Sequence, residues 1–327
     1  MKHYLKIVLI TLIVVLPTFV NAGEVKIALD TPPKLDISGS YVWAHNFGEA
    51  LKSAGMNVRE LPRGSIGGEA EKLDQLSTGL LEVSLSDVKS VGKIHPFIYG
   101  VRLPYIFEDV AHMDRVFEAG NLISKINKQI AGSDVKLVAL VPLGPESGII
   151  NTKKAVHNPG DMADLRMRAL DDAQISLYKA WGSNGTIVPW KEVPTALQTG
   201  VVDGYINSAL VPIMFGHTDF IKYFTDAKVI IAQRAALVSK SWYDGLSNAD
   251  RTIVDNAVAV ATKANRDWLA KVSVTALEGL EAAGVKVVEL SSEEREKFRK
   301  LSKKVYESSL LSKEQLDEWV SLANSTR

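Results

Sequence analysis

Apolar positions in this chain recur in short blocks of two alternating spacings, and that alternation predicts the architecture. EVKIAL (24–29), NVREL (57–61), EVSLSD (82–87) and KLVALVPL (136–143) are compact or alternating apolar runs, read as strands. Between them, YVWAHNFGEALKSAG (41–55) and EAEKLDQLSTG (69–79) carry apolar residues at helical spacing and stop at glycine. RLPYIF (102–107) precedes a helical segment from about Ala111 to Ile130, and GIINT (148–152) begins a second sheet. Strands and helices taking turns in this way mark an α/β chain with a largely parallel sheet.

The stretch from Asp161 to Asn207 repeats the alternation most clearly. LRMRA reads as a strand, DDAQISLYKAW as a helix, TIVPW as a short apolar strand and EVPTALQTG as a second helix, closed by the polar tip VVDGYIN. Arg168 stands at the C-terminal end of the first of these strands. Ligands of α/β proteins bind outside the carboxyl ends of strands, and a guanidinium fork matches a carboxylate. The plainer reading is a surface arginine paired with Asp171 or Asp172, worth roughly 0–1 kcal/mol. Arg166, on the same face of the strand, reads as structural or solvated.

Further on, KVIIAQ (228–233) and ALVSK (236–240) read as strands. From Ser247 to Ala283 the apolar residues keep a helical period, with Ser247 and Asp250 resembling a capping box and Gly284 as the stop. Such a helix would run about 50 Å, longer than one small domain is wide. It either braces two lobes or is a kinked pair. KVVEL (286–290) and a helix capped by Ser291 finish the chain.

Composition adds location and exclusions. MKHYLK is a basic opening, IVLITLIVVL an apolar core of ten residues, and Val20-Asn21-Ala22 a small-residue cleavage site, which predicts an export signal cut after Ala22. The alternative, an uncleaved anchor, is disfavoured because spanning a bilayer takes about 20 apolar residues. Losing Lys2 and Lys6 leaves 36 basic against 38 acidic residues, no footprint for nucleic acid or anionic lipid. The chain has no cysteine, which excludes disulfides, thiolate metal sites and a cysteine nucleophile. The 305 residues after Ala22 are long enough for two domains held by their own cores, and a periplasmic setting fits.

No catalytic apparatus is visible. His3, His45, His95, His112, His157 and His217 never fall at metal-ligand spacing, and neither a G-x-S-x-G elbow nor a Walker loop occurs. RGSIGGE (63–69) is glycine-rich and opens a helix, but reads first as a strand–helix turn. Neither an enzymatic activity nor a cofactor is expected.

LPRGSIGGEAEKLDQLSTG, RLPYIF, NPGDMADLRMRA, PWKEVPTALQTGVVDG and GLEAAGVKVVEL occur in an order that resembles the DctP family. These are the extracytoplasmic substrate-binding proteins of tripartite ATP-independent periplasmic (TRAP) transporters. The resemblance spans nearly all of the chain after Ala22. It implies a two-lobed α/β periplasmic binding protein with a long helix spanning both lobes. The implied function is capture of an organic acid and its delivery to a permease of one small and one large membrane subunit, with the receptor itself a monomer. The lobes are expected to be discontinuous: residues 23–144 with 233–272, and 145–232 with 273–327.

In that family the arginine of the L-K-I-R strand grips the ligand carboxylate, and Arg168 holds its place. The resemblance likewise puts Asn207 on the same ligand end and Trp190 in the pocket wall, with Tyr205 as a weaker candidate. Glu69 and Asp87 fall where some members reach the far end of the ligand. Read without the family, Asn207 is a turn residue and Trp190 a core residue. One departure stands out. Many members carry a second arginine where this chain has Ser147, with Glu146 in place of the neighbouring aromatic, and Ser147 is itself expected to bind the ligand by a hydrogen bond to a hydroxyl or carboxylate oxygen. That substitution implies a pocket short of one fixed positive charge, better suited to a hydroxylated or aromatic monocarboxylate than to a compact dicarboxylate. Receptors for an ATP-driven importer or a sensor kinase, and an exported α/β enzyme, are the rival readings.

Overall fold

The computed structural model describes residues 23–306 and 310–327, so the expected leader and its cleavage site lie outside the described residues. The chain starts with β1 (Val25–Ala28), α1 (Gly39–Ser53), β2 (Val58–Leu61), α2 (Glu69–Ser77), β3 (Val83–Asp87) and α3 (Val88–Ile94). A 3-10 turn, Pro96–Arg102, leads to α4 (Val110–Ala119), α5 (Leu122–Gln129) and β4 (Val135–Pro142). The single helical segment expected from Ala111 to Ile130 is two helices. Gly120 caps the first, and Asn121 adopts φ 45°, a left-handed conformation that asparagine tolerates better than most residues.

The chain then crosses to a second sheet with β5 (Gly148–Asn151), β6 (Arg166–Ala169), α6 (Asp172–Ala180), β7 (Asn184–Ile187), α7 (Val193–Gln198), β8 (Gly204–Asn207), α8 (Leu210–Phe215) and β9 (Tyr223–Asp226). It returns through β10 (Gln233–Ser239), α9 (Lys240–Gly245) and α10 (Asn248–Ala282), and ends with β11 (Lys286–Glu289), α11 (Ser292–Lys303) and α12 (Lys313–Ser325). One sheet has the order β2-β1-β3-β10-β4, the other β11-β9-β5-β8-β6-β7. The architecture is the expected two-lobed α/β one, although both sheets are mixed: β10 runs antiparallel to β3 and β4, and β5 antiparallel to β8 and β9.

Besides the split helix and β7, which starts at Asn184 and ends at Ile187 where TIVPW was expected, three further elements depart from the sequence reading. VVDGYIN holds a strand interior to the sheet, because Gly204 lets the backbone close on β5: a Cβ there would lie 2.0 Å from the Ile150 carbonyl. The strand expected at 228–233 contributes only Gln233 to β10. Residues 228–232 instead form the return crossing, with Ser147 N–H donating to Ile230 O (2.7 Å), Val229 N–H to Ser147 O (2.8 Å) and Leu143 N–H to Ala232 O (2.8 Å). Their apolar character reflects burial between the lobes.

The third departure is the tail. Residues 273–327 were expected to belong whole to the second lobe, and α11 does pack on α6 there. However, α12 lies on α4 of the first lobe, where the fully buried Trp319 donates through Nε1 to Phe97 O (2.8 Å) and His112 Nε2 meets Ala323 O (2.9 Å).

The long helix α10 is one continuous element of 35 residues, with Ser247 Oγ accepting from Asp250 N–H at its start. It packs on α1 and β4 in the first lobe and on α8 and β11 in the second, so it braces both. Midway, the buried Asn265 Nδ2 donates to Gly39 O (2.9 Å) and Pro142 O (3.1 Å), which fixes the helix to the end of β4 beside the crossing. Among the described residues no helix is long and apolar enough to cross a membrane.

Candidate functional site

Between the two lobes lies a cleft of about 410 Å³, lined from both sides. The carboxyl ends of β1, β3, β6 and β8 reach it with Asp30, Asp87, Arg168 and Asn207. That convergence is what α/β sheets offer at their strand ends.

Arg168 is 7 % exposed and has no carboxylate partner among the described residues. Its Nε donates to Val188 O (2.9 Å), and its guanidinium carbon lies 5.5 Å from the centre of the Trp190 ring. The Tyr178 hydroxyl donates to the Arg168 carbonyl (3.0 Å), holding the backbone in place. Burial lowers its pKa, but a guanidinium stays protonated in proteins. The result is a fixed, buried positive charge with both terminal nitrogens left for an anion. Arg166, two residues earlier, is instead exposed and paired with Asp203 through Nε (3.1 Å) and Nη2 (2.8 Å).

Trp190 lines the cleft and is boxed by three rings: Phe215 at 5.2 Å, His217 at 5.3 Å and Tyr205 at 5.5 Å between centroids. Tyr205 does not line the cleft. It is fully buried behind Trp190, and its hydroxyl is hydrogen-bonded to His217 Nδ1 (2.9 Å). Burial pushes the His217 pKa down to about 4. An imidazole whose folded pKa lies below its ordinary 6.5 gives stability that is complete above that value and is lost as pH falls towards 4. Unfolding measured from pH 7 to 4 should show a loss of up to about 3 kcal/mol from this group. His217→Asn, which keeps an acceptor near the Tyr205 hydroxyl, should flatten that part of the profile; parallel profiles would contradict the assignment.

Ser147 also lies off the cleft, buried in the crossing segment, with its Oγ unpartnered among the described residues. The distal candidates both line it. Glu69 Oε2 accepts from Asp87 N–H (2.9 Å), while its Oε1 pairs with Lys72 (2.9 Å). Asp87 caps α3 by accepting from Lys89 N–H (2.8 Å). Burial works to raise the Asp87 pKa, yet Arg234, Arg102 and Arg168 outweigh it and hold the carboxyl below its usual range.

The sequence reading missed most of the charge. Arg63, Lys89, Arg102, Arg168 and Arg234 line the cleft against Asp30, Glu69 and Asp87. Arg102 and Arg234, which the sequence reading did not anticipate, enter from the 3-10 turn before α4 and from β10. Arg234 is ion-paired with Asp30 and lies 3.5 Å from Asp87, and Arg102 is ion-paired with Asp171 on the opposite lobe. Phe215, facing Arg63 at 5.5 Å, completes the aromatic wall with Trp190. Asp30 had a signal in the sequence, since it directly follows the first predicted strand, at the same carboxyl edge where Arg168 stands on a later one.

Two α/β lobes bridged by a long helix, with a buried arginine that has no carboxylate partner among the described residues over an aromatic wall in the cleft between them, define a solute-binding protein. The chain belongs to the DctP family, bacterial extracellular solute-binding protein family 7, whose model matches residues 42–313. It is a solute receptor of the TRAP type, and receptors of this family work in the periplasm with TRAP membrane permeases.

A solute-binding protein of Verminephrobacter eiseniae is 27% identical over 233 residues, covering 71% of this chain and 69% of that protein. The ectoine/5-hydroxyectoine-binding periplasmic protein UehA of Ruegeria pomeroyi is 27% identical over 230 residues, 69% of this chain and 67% of its own. The crystal structure of a TRAP periplasmic solute-binding protein from Roseobacter denitrificans with bound β-D-glucuronate superposes with a TM-score of 0.82 at 24% identity, covering 93% of this chain and all of that one.

Proposed function

We propose that this receptor captures a hydroxylated organic acid whose single carboxylate sits on Arg168. The observation that carries the reading is the state of that arginine: buried, charged, positioned through Nε, and without a carboxylate partner among the described residues. A buried unpaired charge is costly, and a ligand carboxylate is the group that offsets it best. Asn207 lines the same cleft, and Trp190 with Phe215 gives the sugar or acyl skeleton a flat apolar face. At the far end Asp30, Glu69 and Asp87 suit hydroxyl donors, while Arg234 suits hydroxyl oxygens as acceptors. A glucuronate-binding relative of the same fold supports a sugar acid over an aromatic acid.

In this reading the lobes close over the ligand by a hinge at the paired segments 143–147 and 229–232, with α12 moving as part of the first lobe. The protein exports with cleavage after Ala22, acts as a monomer and hands its ligand unchanged to a permease of a small and a large subunit. The cleft of about 410 Å³ falls within the range of small-molecule sites.

A thermal-shift panel of uronates, aldonates, dicarboxylates and neutral sugars tests this. At a hundredfold excess over Kd a ligand stabilises by about 2.7 kcal/mol, a rise in Tm of roughly 5 °C or more for a chain of this size. Uronates or aldonates should give it; stabilisation by neutral sugars alone would overturn the reading.

A further inference from the structure

Four arginines line the cleft, and they are not equivalent: Arg63 is exposed against Phe215, and the other three are buried or partly buried. Arg234 is held by Asp30 and Asp87, Arg102 is held by Asp171, and Arg168 has no carboxylate among the described residues. Asp171 follows β6 by two residues and does two jobs. Its Oδ1 caps α6 by accepting from Gln174 N–H (3.2 Å), and its Oδ2 crosses to the other lobe to meet Arg102 Nη1. The side chains of both partners are largely enclosed, at 15% and 11% exposure. A second ligand carboxylate reaching Arg102 would have to displace Asp171 while lying close to it. Repulsion between the two carboxylates and loss of the interlobe pair both oppose that exchange.

From this geometry we propose that Asp171 tunes the charge selectivity of the cleft: by occupying Arg102 it withholds that guanidinium from a second ligand carboxylate. The inference rests on Arg168 as the site of the first carboxylate. It makes Asp171 a specificity-determining residue whose removal opens a second anion position at Arg102, rather than merely weakening the protein.

Asp171→Asn tests it cleanly, because asparagine caps helices about as well as aspartate and is nearly isosteric. The probe is D-galactarate, a six-carbon polyol with a carboxylate at each end, titrated calorimetrically into wild type and variant. The expected result is at least tenfold tighter galactarate binding by Asp171→Asn, with the gain abolished when Arg102→Ala is added. Unchanged or weaker galactarate binding by a variant with wild-type Tm overturns the proposal. A gain that survives Arg102→Ala overturns it as well. The underlying reading fails separately: if the gain persists when Arg168→Ala is combined with Asp171→Asn, then Asp171 gates an anion but Arg168 is not the carboxylate site. Should the single variant unfold, Asp171→Ser, which also caps α6, is expected to give the same gain, and its absence there counts against the proposal.

Discussion

Arg168→Ala is expected to weaken ligand binding by about 2–5 kcal/mol, the usual cost of truncating one side of a buried charge-assisted pair. In Kd that is roughly thirtyfold at the least and several thousandfold at most. The loss should appear with little change in folding, because among the described residues the side chain makes one hydrogen bond, from Nε to Val188 O, and otherwise faces the cleft and Trp190. Removing a buried charge that lacks a carboxylate partner could even raise the Tm of the ligand-free protein. Arg168→Lys should recover only part of the affinity, since an ammonium keeps the charge but cannot present two parallel donors. Calorimetry of the three proteins with the same acid, beside their unfolding curves, separates these effects. Equal affinities would show that the carboxylate lies elsewhere.

The second large effect concerns the fold. Trp319→Ala is expected to destabilise the protein by about 3–5 kcal/mol, the range for truncating a buried tryptophan. The indole is fully buried among Phe97, Phe107 and Phe117, with centroids 5.3, 6.3 and 5.8 Å away. Gly100 makes the seat possible, since a Cβ there would lie 2.1 Å from the indole nitrogen. Truncation leaves both a cavity and the Phe97 carbonyl without its donor. Denaturant unfolding measures the loss. Affinity under native conditions should stay near wild type, because α12 lies away from the cleft. A loss below about 0.5 kcal/mol, the scale of an ordinary surface substitution, would mean that α12 does not anchor the first lobe.

Much of this fold was legible in local pattern. β1 to β6 and the cap and length of α10 follow from apolar spacing and from Ser247, because those elements bury a continuous face. β8 escaped because its position depends on Gly204, a residue that weakens a strand in isolation and is required here by the close approach of β5. Residues 228–232 misled for the opposite reason: apolar residues at a buried crossing look like a strand. The path of α12 back to the first lobe was not visible, since nothing local distinguishes a helix that docks on one lobe from one that docks on the other.

The site divides in the same way. Arg168 was readable from its place at a strand end and from the motif around it. Arg102 and Arg234 were not, because their convergence depends on β10 running back into the first sheet and on the turn before α4. Ser147 was read as a missing charge because a position-by-position comparison sees what one site has lost. It does not see that two other elements bring guanidinium groups into the same cleft. Tyr205 was placed in the right neighbourhood, but one layer too far forward, since Trp190 covers it.

The carboxylate on Arg168 is tested most directly by titrating the receptor with the acid that gives the largest thermal shift and with that acid's primary amide. The amide keeps the skeleton and hydroxyls and removes only the charge. One acid molecule per chain should bind, with the amide weaker by a hundredfold or more, about 2.7 kcal/mol. Equal affinity for acid and amide would contradict the carboxylate clamp.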